Sequence, residues 1–453
     1  MTDAGTETPS RTADLAARLG ILAASLAALA SRAPNVLVWP RFFAEEGKFY
    51  YSHAFNYGFL EALRYVQIRA GYLNLIENFA AAFASLVQLE YAPFVTTYVA
   101  LAVQTVPLLV ILFGDSSVFR GIAKKSAGCA IVVMAPSISG EIWLTSVQSH
   151  IFLGLVSLLI LLENVDSIAA TRRWLYRILL TIGGLSGPYT VFLQPLFALR
   201  AFGERSRERI VQAAIVSLTL VVQVLVFWNF FVATPSVHAL RRKELGLGIL
   251  SRVLRLEIGA PFFGLEAGGG LAEPAASFRE YAFLLLFLAV LPIAGIDWKR
   301  RRLASLDSRA LLLLAFSILT LGISAFSFSI DLDGRYALLP GYVLLFYLLD
   351  NVRGSNRRWI STTLVLLLSF SLFVGVRNLR SSDALRCDGR SPTNWKLKVA
   401  RWRNEEFNAQ LWKRKASDRI EICPPGRTMR LFLRDTEYPP PQRTTTGPGP
   451  GSD

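Results

Sequence analysis

Apolar runs of roughly 17–25 residues recur along the chain, each closed by Arg or Lys, and this is the length of a helix that crosses a bilayer. The first covers Leu15 to Ser31, with Arg18 near its start and Arg32 near its end. Further runs cover about 92–113, 121–138, 148–163, 210–232, 279–297, 308–329, 336–350 and 359–376. An all-α, polytopic integral membrane protein follows.

Two stretches depart from the pattern. Tyr72 to Ala80 carries Asn74, Glu77 and Asn78 within about one turn, a polar stripe suited to an amphipathic helix in the outer interface. Residues 174–202 have bases at both ends and Gly183-Gly184-Leu185-Ser186-Gly187-Pro188 between them. They form either one kinked span or two short helices meeting at that break. Short Lys- and Arg-rich loops face the cytoplasm. Here they are Arg120/Lys124/Lys125, Arg172/Arg173/Arg177, Arg200 to Arg209, Lys299 to Arg302 and Arg353/Arg357/Arg358. Counting 174–202 as two half-helices and 72–89 as interfacial keeps every one of these loops inside. Broken helices occur at membrane depth where protein or a watery cavity satisfies the backbone, which places Ser186, Gly187 and Tyr189 near an external cavity.

The resulting layout has about eleven membrane helices in the cell inner (plasma) membrane, N-terminus cytoplasmic and C-terminus periplasmic or external. Residues 1–14 are expected as a disordered cytoplasmic tail and 15–376 as the membrane domain, with external loops 39–91 and 233–277. Residues 377–438 then form an external C-terminal segment and 439–453 a disordered tail.

Composition agrees. The chain has 453 residues, 53% hydrophobic and 18% charged, against about 25% charged in an ordinary soluble domain. The net charge of +15 sits at span ends, where it orients the chain and meets anionic lipid headgroups. No recognition motif accompanies it, so nucleic acid is not an expected partner and membrane lipid is. Of three cysteines, Cys129 lies in an apolar run as a small core residue. Cys387 and Cys423 both lie in the tail, where an oxidising exterior would pair them as a disulfide. No Cys/His cluster has metal-site spacing, and His53, His150 and His238 are the only histidines.

Candidate chemistry is concentrated at outer ends. Trp39 to Ala54 follows the first span and holds Glu45 and Glu46 among aromatics. Either acid can serve as a base, orient a metal, or be a solvated loop acid. Arg335 and Tyr336 begin a late span just after Asp331 and Asp333. They can bind phosphate or anchor the interface, and the two Asp read first as a solvated cap. Trp143 to His150 opens another span, with Gln148 and His150 at its polar mouth; a helix-entry His is commonly a hydrogen-bonded interface residue. Asn394 through Trp402 to Trp412 looks amphipathic and would lie on the outer surface.

The acidic pair after the first span, followed by aromatics and Tyr51-x-x-Ala54, resembles the first external loop of GT-C membrane glycosyltransferases. That family carries an Asp-Glu-x-x-Tyr element there; this chain has Glu at both acidic positions. Arg335-Tyr336 is similar to the family's Arg-Tyr element, and the Trp143/Gln148/His150 entry also occurs in it. The resemblance implies transfer of a sugar from a polyprenyl-phosphate donor to an extracytoplasmic glycan or lipid-linked acceptor. It implies Glu45 or Glu46 as the base, with Arg335 on the departing phosphate. Tyr336, Tyr50, Gln148, His150, Ser186 and Tyr189 would line the substrate site. No cofactor is assigned, and a divalent cation stays open. Two other classes compete: a flippase or transporter of a lipid-linked saccharide, with pseudo-symmetric halves and mid-span charges, and a non-catalytic envelope-assembly protein.

Overall fold

The computed structural model describes residues 11–67, 70–136, 142–165, 168–233, 257–262, 307–326, 334–352, 358–379, 395–411, 419–423 and 427–431. The chain opens with helix α1 (Arg11–Arg32). It starts earlier than expected: Asp14 pairs with Arg18 one turn on at 2.6 Å, so residues 11–14 form a first helical turn rather than a disordered tail. At its far end Arg32 donates to Val133 O at 2.5 Å and Ala135 O at 3.1 Å, and lies 4.0 Å over the Trp143 ring.

Short elements fill the first loop: α2 (Pro34–Val38), a π-turn over Glu46–Tyr51 running into α3 (Ser52–Tyr57), α4 (Phe59–Arg64) and α5 (Leu75–Ala84). Then come α6 (Ala92–Phe113), α7 (Ile122–Met134), α8 (Ser149–Leu162), α9 (Ala170–Gly184), α10 (Pro188–Phe192), α11 (Gln194–Glu204) and α12 (Arg207–Ala233). The later helices are α13 (Ser308–Phe326), α14 (Leu338–Asn351), α15 (Arg358–Arg377) and α16 (Trp395–Leu411). Strands β1 (Arg419–Ile422) and β2 (Arg427–Arg430) form an antiparallel hairpin, the one named sheet among the described residues and a small departure from all-α. The span expected at 279–297, Asp331, Asp333, His238, Trp412 and the tail 439–453 lie outside the described residues, as does most of the loop 233–277.

Among the described residues, α1, α6, α12 and α15 are long and apolar enough to cross a membrane. The centre of the bundle is α8 and α14, buried from Ser149 to Leu162 and from Leu338 to Asp350. Around them the exposed faces are apolar: Leu218, Val221, Leu225 and Trp228 on α12, and Leu366, Phe370 and Phe373 on α15. A helix on a water-facing surface would turn polar residues there; this distribution suits lipid. Helix α5 is inverted too, with Glu77 and Asn78 buried and Phe79 and Phe83 exposed. Its ten residues reach about 15 Å, half of what a crossing requires.

Bases gather at one end of the bundle. Arg18 donates to Leu112 O at 3.0 Å and Lys125 to the same oxygen at 2.6 Å. Asp350 takes Lys124 at 3.6 Å and Arg309 at 3.7 Å. Arg177 on α9 meets Glu208 on α12 at 2.6 Å, while Arg200 on α11 donates to Leu161 O and Arg209 to Glu163 O. Both ends of 170–204 therefore lie together, and the chain doubles back between them. The reversal is at Gly187, whose φ of +103° suits glycine, with Pro188 fixing the start of α10.

The C-terminal segment packs on the first loop at the opposite end. Trp395 donates Nε1–H to Leu89 O at 2.8 Å and meets the Phe42 ring edge-on at 5.3 Å. Arg403 pairs with Glu90 at 2.6 Å. Ala44 N–H donates to Cys423 O at 2.6 Å and Cys423 N–H to Phe42 O at 3.2 Å. Phe42, Tyr51, Phe55, Trp395, Val399 and Ile422 bury one shared core. Cys423 is disulfide-bonded and Cys129 is free and buried. Cys387, the expected partner, lies outside the described residues.

Candidate functional site

The site begins at a bend. Ala44 has φ +41°, a left-handed conformation that costs a non-glycine residue about 1–3 kcal/mol. The Cys423 carbonyl accepts its N–H and helps to hold the bend. Beyond it Glu46 folds back to accept the Phe43 N–H at 3.0 Å, the reach of a capping carboxylate. Its other oxygen accepts the Ser146 N–H at 3.2 Å and the Ser146 hydroxyl at 2.5 Å. Glu46 is thus buried and fully occupied, tying the loop to the turn Ser146–Gln148. Burial pushes its carboxyl above the usual range, and the Ser146 and Phe43 hydrogen bonds pull it back. Glu45 is half-buried, and its charge reaches Tyr50, Tyr72 and Glu77.

Helix α5 supplies a third carboxyl. Glu77 is 0% exposed, and among the described residues neither oxygen has a hydrogen-bond partner in good geometry. Ser146 leans toward it, but that hydroxyl's one proton goes to Glu46. Burial first, then the Glu46 charge, push Glu77 well above the ordinary carboxylate range, against a pull from Ser146. The chain positions α5 through the α9–α10 break: Leu75 N–H donates to Leu185 O at 2.9 Å and Ile76 N–H to Ser186 Oγ at 3.0 Å. Ser186, expected at the substrate, is a fully buried strut for α5.

Aromatics and one guanidinium form the facing wall. His150 contacts Val147 O through Nδ1 at 2.7 Å, stacks on Tyr189 at 5.4 Å and tilts toward Tyr72 at 5.7 Å. The Tyr189 hydroxyl is buried without a partner. Arg335 and Tyr336 are half-buried in the turn Gly334–Ala337, with the guanidinium 5.1 Å over the Tyr336 ring. The Arg335 charge reaches Tyr72, His150 and Tyr189. Tyr50 is buried, edge-on to Tyr65 at 5.6 Å. Gln148 is buried at the end of the Ser146 turn.

So Glu45, Glu46, Tyr50, His150, Tyr189, Arg335 and Tyr336 lie in one region, with Ser186 buried against α5 and Gln148 buried in the Ser146 turn. Sequence reasoning did not assign Glu77, Tyr72 or Glu257 to the site. Glu77 was visible in the polar stripe Asn74/Glu77/Asn78, where it reads as an interfacial residue. Glu257, buried, accepts from the Thr320 hydroxyl and its charge reaches Tyr189; nothing in its local sequence marks it. Among the described residues no group of three or more His, Cys, Asp or Glu side chains is arranged to hold a metal ion.

No family model matches this chain, and no curated protein matches it.

Proposed function

We propose a membrane glycosyltransferase of GT-C type that moves a sugar from a polyprenyl-phosphate donor to an extracytoplasmic glycan or lipid-linked acceptor. One observation carries the reading. Glu45 follows the bend next to Glu46, which is tied to Ser146; the Ser146 turn runs into His150, whose ring meets Tyr72 at 5.7 Å. Arg335 and Glu45 are both near enough to bias Tyr72, at the end of the bundle opposite the basic loops. Acid and guanidinium thus share one region beside an apolar, lipid-suited surface, where a lipid phosphate can be held while a hydroxyl is activated.

Of the two acids, Glu45 is the base, because Glu46 is committed to Phe43 and Ser146. The acceptor oxygen attacks the anomeric carbon as the bond from that carbon to the phosphate oxygen breaks. The acceptor proton passes to Glu45, and the bonding pair leaves on the lipid phosphate, whose added charge Arg335 meets. A planar fork suits phosphate better than an ammonium does. Glu46 positions the loop.

The test is turnover of purified protein in liposomes, with a panel of polyprenyl-phosphate sugars and glycan acceptors. Glu45→Gln should lower turnover on the order of a hundredfold or more while donor binding persists. Wild-type turnover in Glu45→Gln, or no transfer with any donor, would overturn the assignment.

A further inference from the structure

The start of α5 carries buried polar atoms that no described residue answers. Both Glu77 oxygens, Asn74 Oδ1 and Asn78 Oδ1 are buried with no hydrogen-bond partner among the described residues. The amide nitrogens fix the orientation of both asparagines. Asn74 Nδ2 donates to Val147 O at 3.3 Å; Asn78 Nδ2 donates to Tyr65 O at 2.7 Å and Leu63 O at 3.3 Å. What remains is a group of acceptors at the start of the helix: Asn74, at its N-cap, lies about one turn from Glu77 and Asn78, which are adjacent in sequence. Buried polar groups in native proteins are normally satisfied, so a cluster of exceptions calls for a partner from outside the chain.

We propose that Asn74, Glu77 and Asn78 form the subsite for the hydroxyl groups of the transferred sugar, with Glu77 as its specificity-determining carboxyl. The proposal rests on the transferase reading above. A sugar ring brings several O–H donors into a small volume, which is what a group of buried acceptors requires. A phosphate would meet acceptors where it needs donors, so it belongs on the Arg335 side. Glu77 also shares the electrostatic surroundings of Tyr72 with Glu45, on the same side of the site as the base. Protonated, its carboxyl offers one O–H and one C=O, complementary to a hydroxyl that both donates and accepts. Sites built to hydrogen-bond a substrate hydroxyl discriminate strongly, because an unmatched ligand leaves their buried groups unpaired.

The experiment compares equilibrium binding of farnesyl phosphate with farnesyl-phosphoryl glucose, galactose, mannose and arabinose to purified full-length protein. Wild-type protein should bind at least one glycosylated ligand about tenfold or more tighter than farnesyl phosphate. Glu77→Leu should bring that ligand down to the farnesyl phosphate level, and Glu77→Gln, which keeps a donor and an acceptor, should restore most of the gain. Survival of the gain in Glu77→Leu would overturn the subsite. So would stabilisation of wild-type protein by a divalent cation that Glu77→Gln abolishes, with no gain from any sugar; that result makes the acceptors a cation site. Binding of farnesyl phosphate without a sugar gain overturns the subsite alone. Binding of none of these ligands overturns the transferase reading together with it.

Discussion

Ser146 delivers two donors to a single carboxylate oxygen of Glu46, and its hydroxyl then has no proton left for Glu77. Two buried carboxyls therefore face each other with one set of donors between them, and both charges cannot be held cheaply. The other titratable groups facing Glu77 are Glu45, Tyr50 and Tyr72, none of them a cation at neutral pH. The folded-state affinity of Glu77 for a proton is raised, so the folded protein binds more protons than the unfolded chain above the ordinary glutamate range. That stability is complete below the unfolded value of about 4.5 and is lost as pH rises through the raised folded value. Thermal unfolding in detergent should show the melting temperature of wild-type protein falling as pH rises above the ordinary glutamate value of about 4.5. In Glu77→Gln the slope should flatten, with a higher melting temperature at the alkaline end. An unchanged slope would place the titration elsewhere.

The elements around the site take their roles from short sequence signals. Trp395, Val399 and Trp402 recur at spacings of four and three, and this stripe is the buried face of α16. It was legible as an amphipathic helix; its docking partner was not. The partner is Phe42, Tyr51 and Leu89 in the first loop, and nothing local to either segment announces a contact between Trp395 and Leu89, 306 residues apart. The break at Gly187-Pro188 was legible, because φ and donor restrictions belong to those residue types. The strand pairing of Cys423 with Phe43 was not, since it depends on where two loops meet. Trp395 should be the anchor of the docked segment. Trp395→Ala removes a buried ring and the hydrogen bond to Leu89 O, a loss of about 3–5 kcal/mol for a large aromatic. Limited trypsin digestion should then cut at Lys396 and Lys398 much faster than in wild-type protein, while the helical bundle stays intact. Equal cleavage rates would mean that the tail is held chiefly by its other contacts.

Among the described residues of the helical bundle, bases gather at one end, where acids such as Asp350 and Glu208 pair with them. Lys124, Lys125, Arg177, Arg200 and Arg209 sit together at one end, each bound to carbonyls or acids of neighbouring helices. Glu45, Glu46, Glu77 and the docked tail occupy the other. Excess Lys and Arg in short loops marks the cytoplasmic side of a membrane protein, so the end that holds Glu45 and the docked tail should face outward. Helix α6 joins the two ends and makes the test direct. Its 22 residues extend about 33 Å, enough to cross a hydrocarbon core of about 30 Å. Gln88, before it, and Arg120, after it, are both exposed. The native background is small, because Cys129 is buried and Cys423 is disulfide-bonded; labelling of the unsubstituted protein accounts for Cys387. An impermeant maleimide added to intact cells should modify Gln88→Cys, and should modify Arg120→Cys only after the cells are broken. The reverse order would invert the protein and remove the site from the external face. Labelling of both from outside would mean that α6 does not cross, and the placement of every later helix would fall with it.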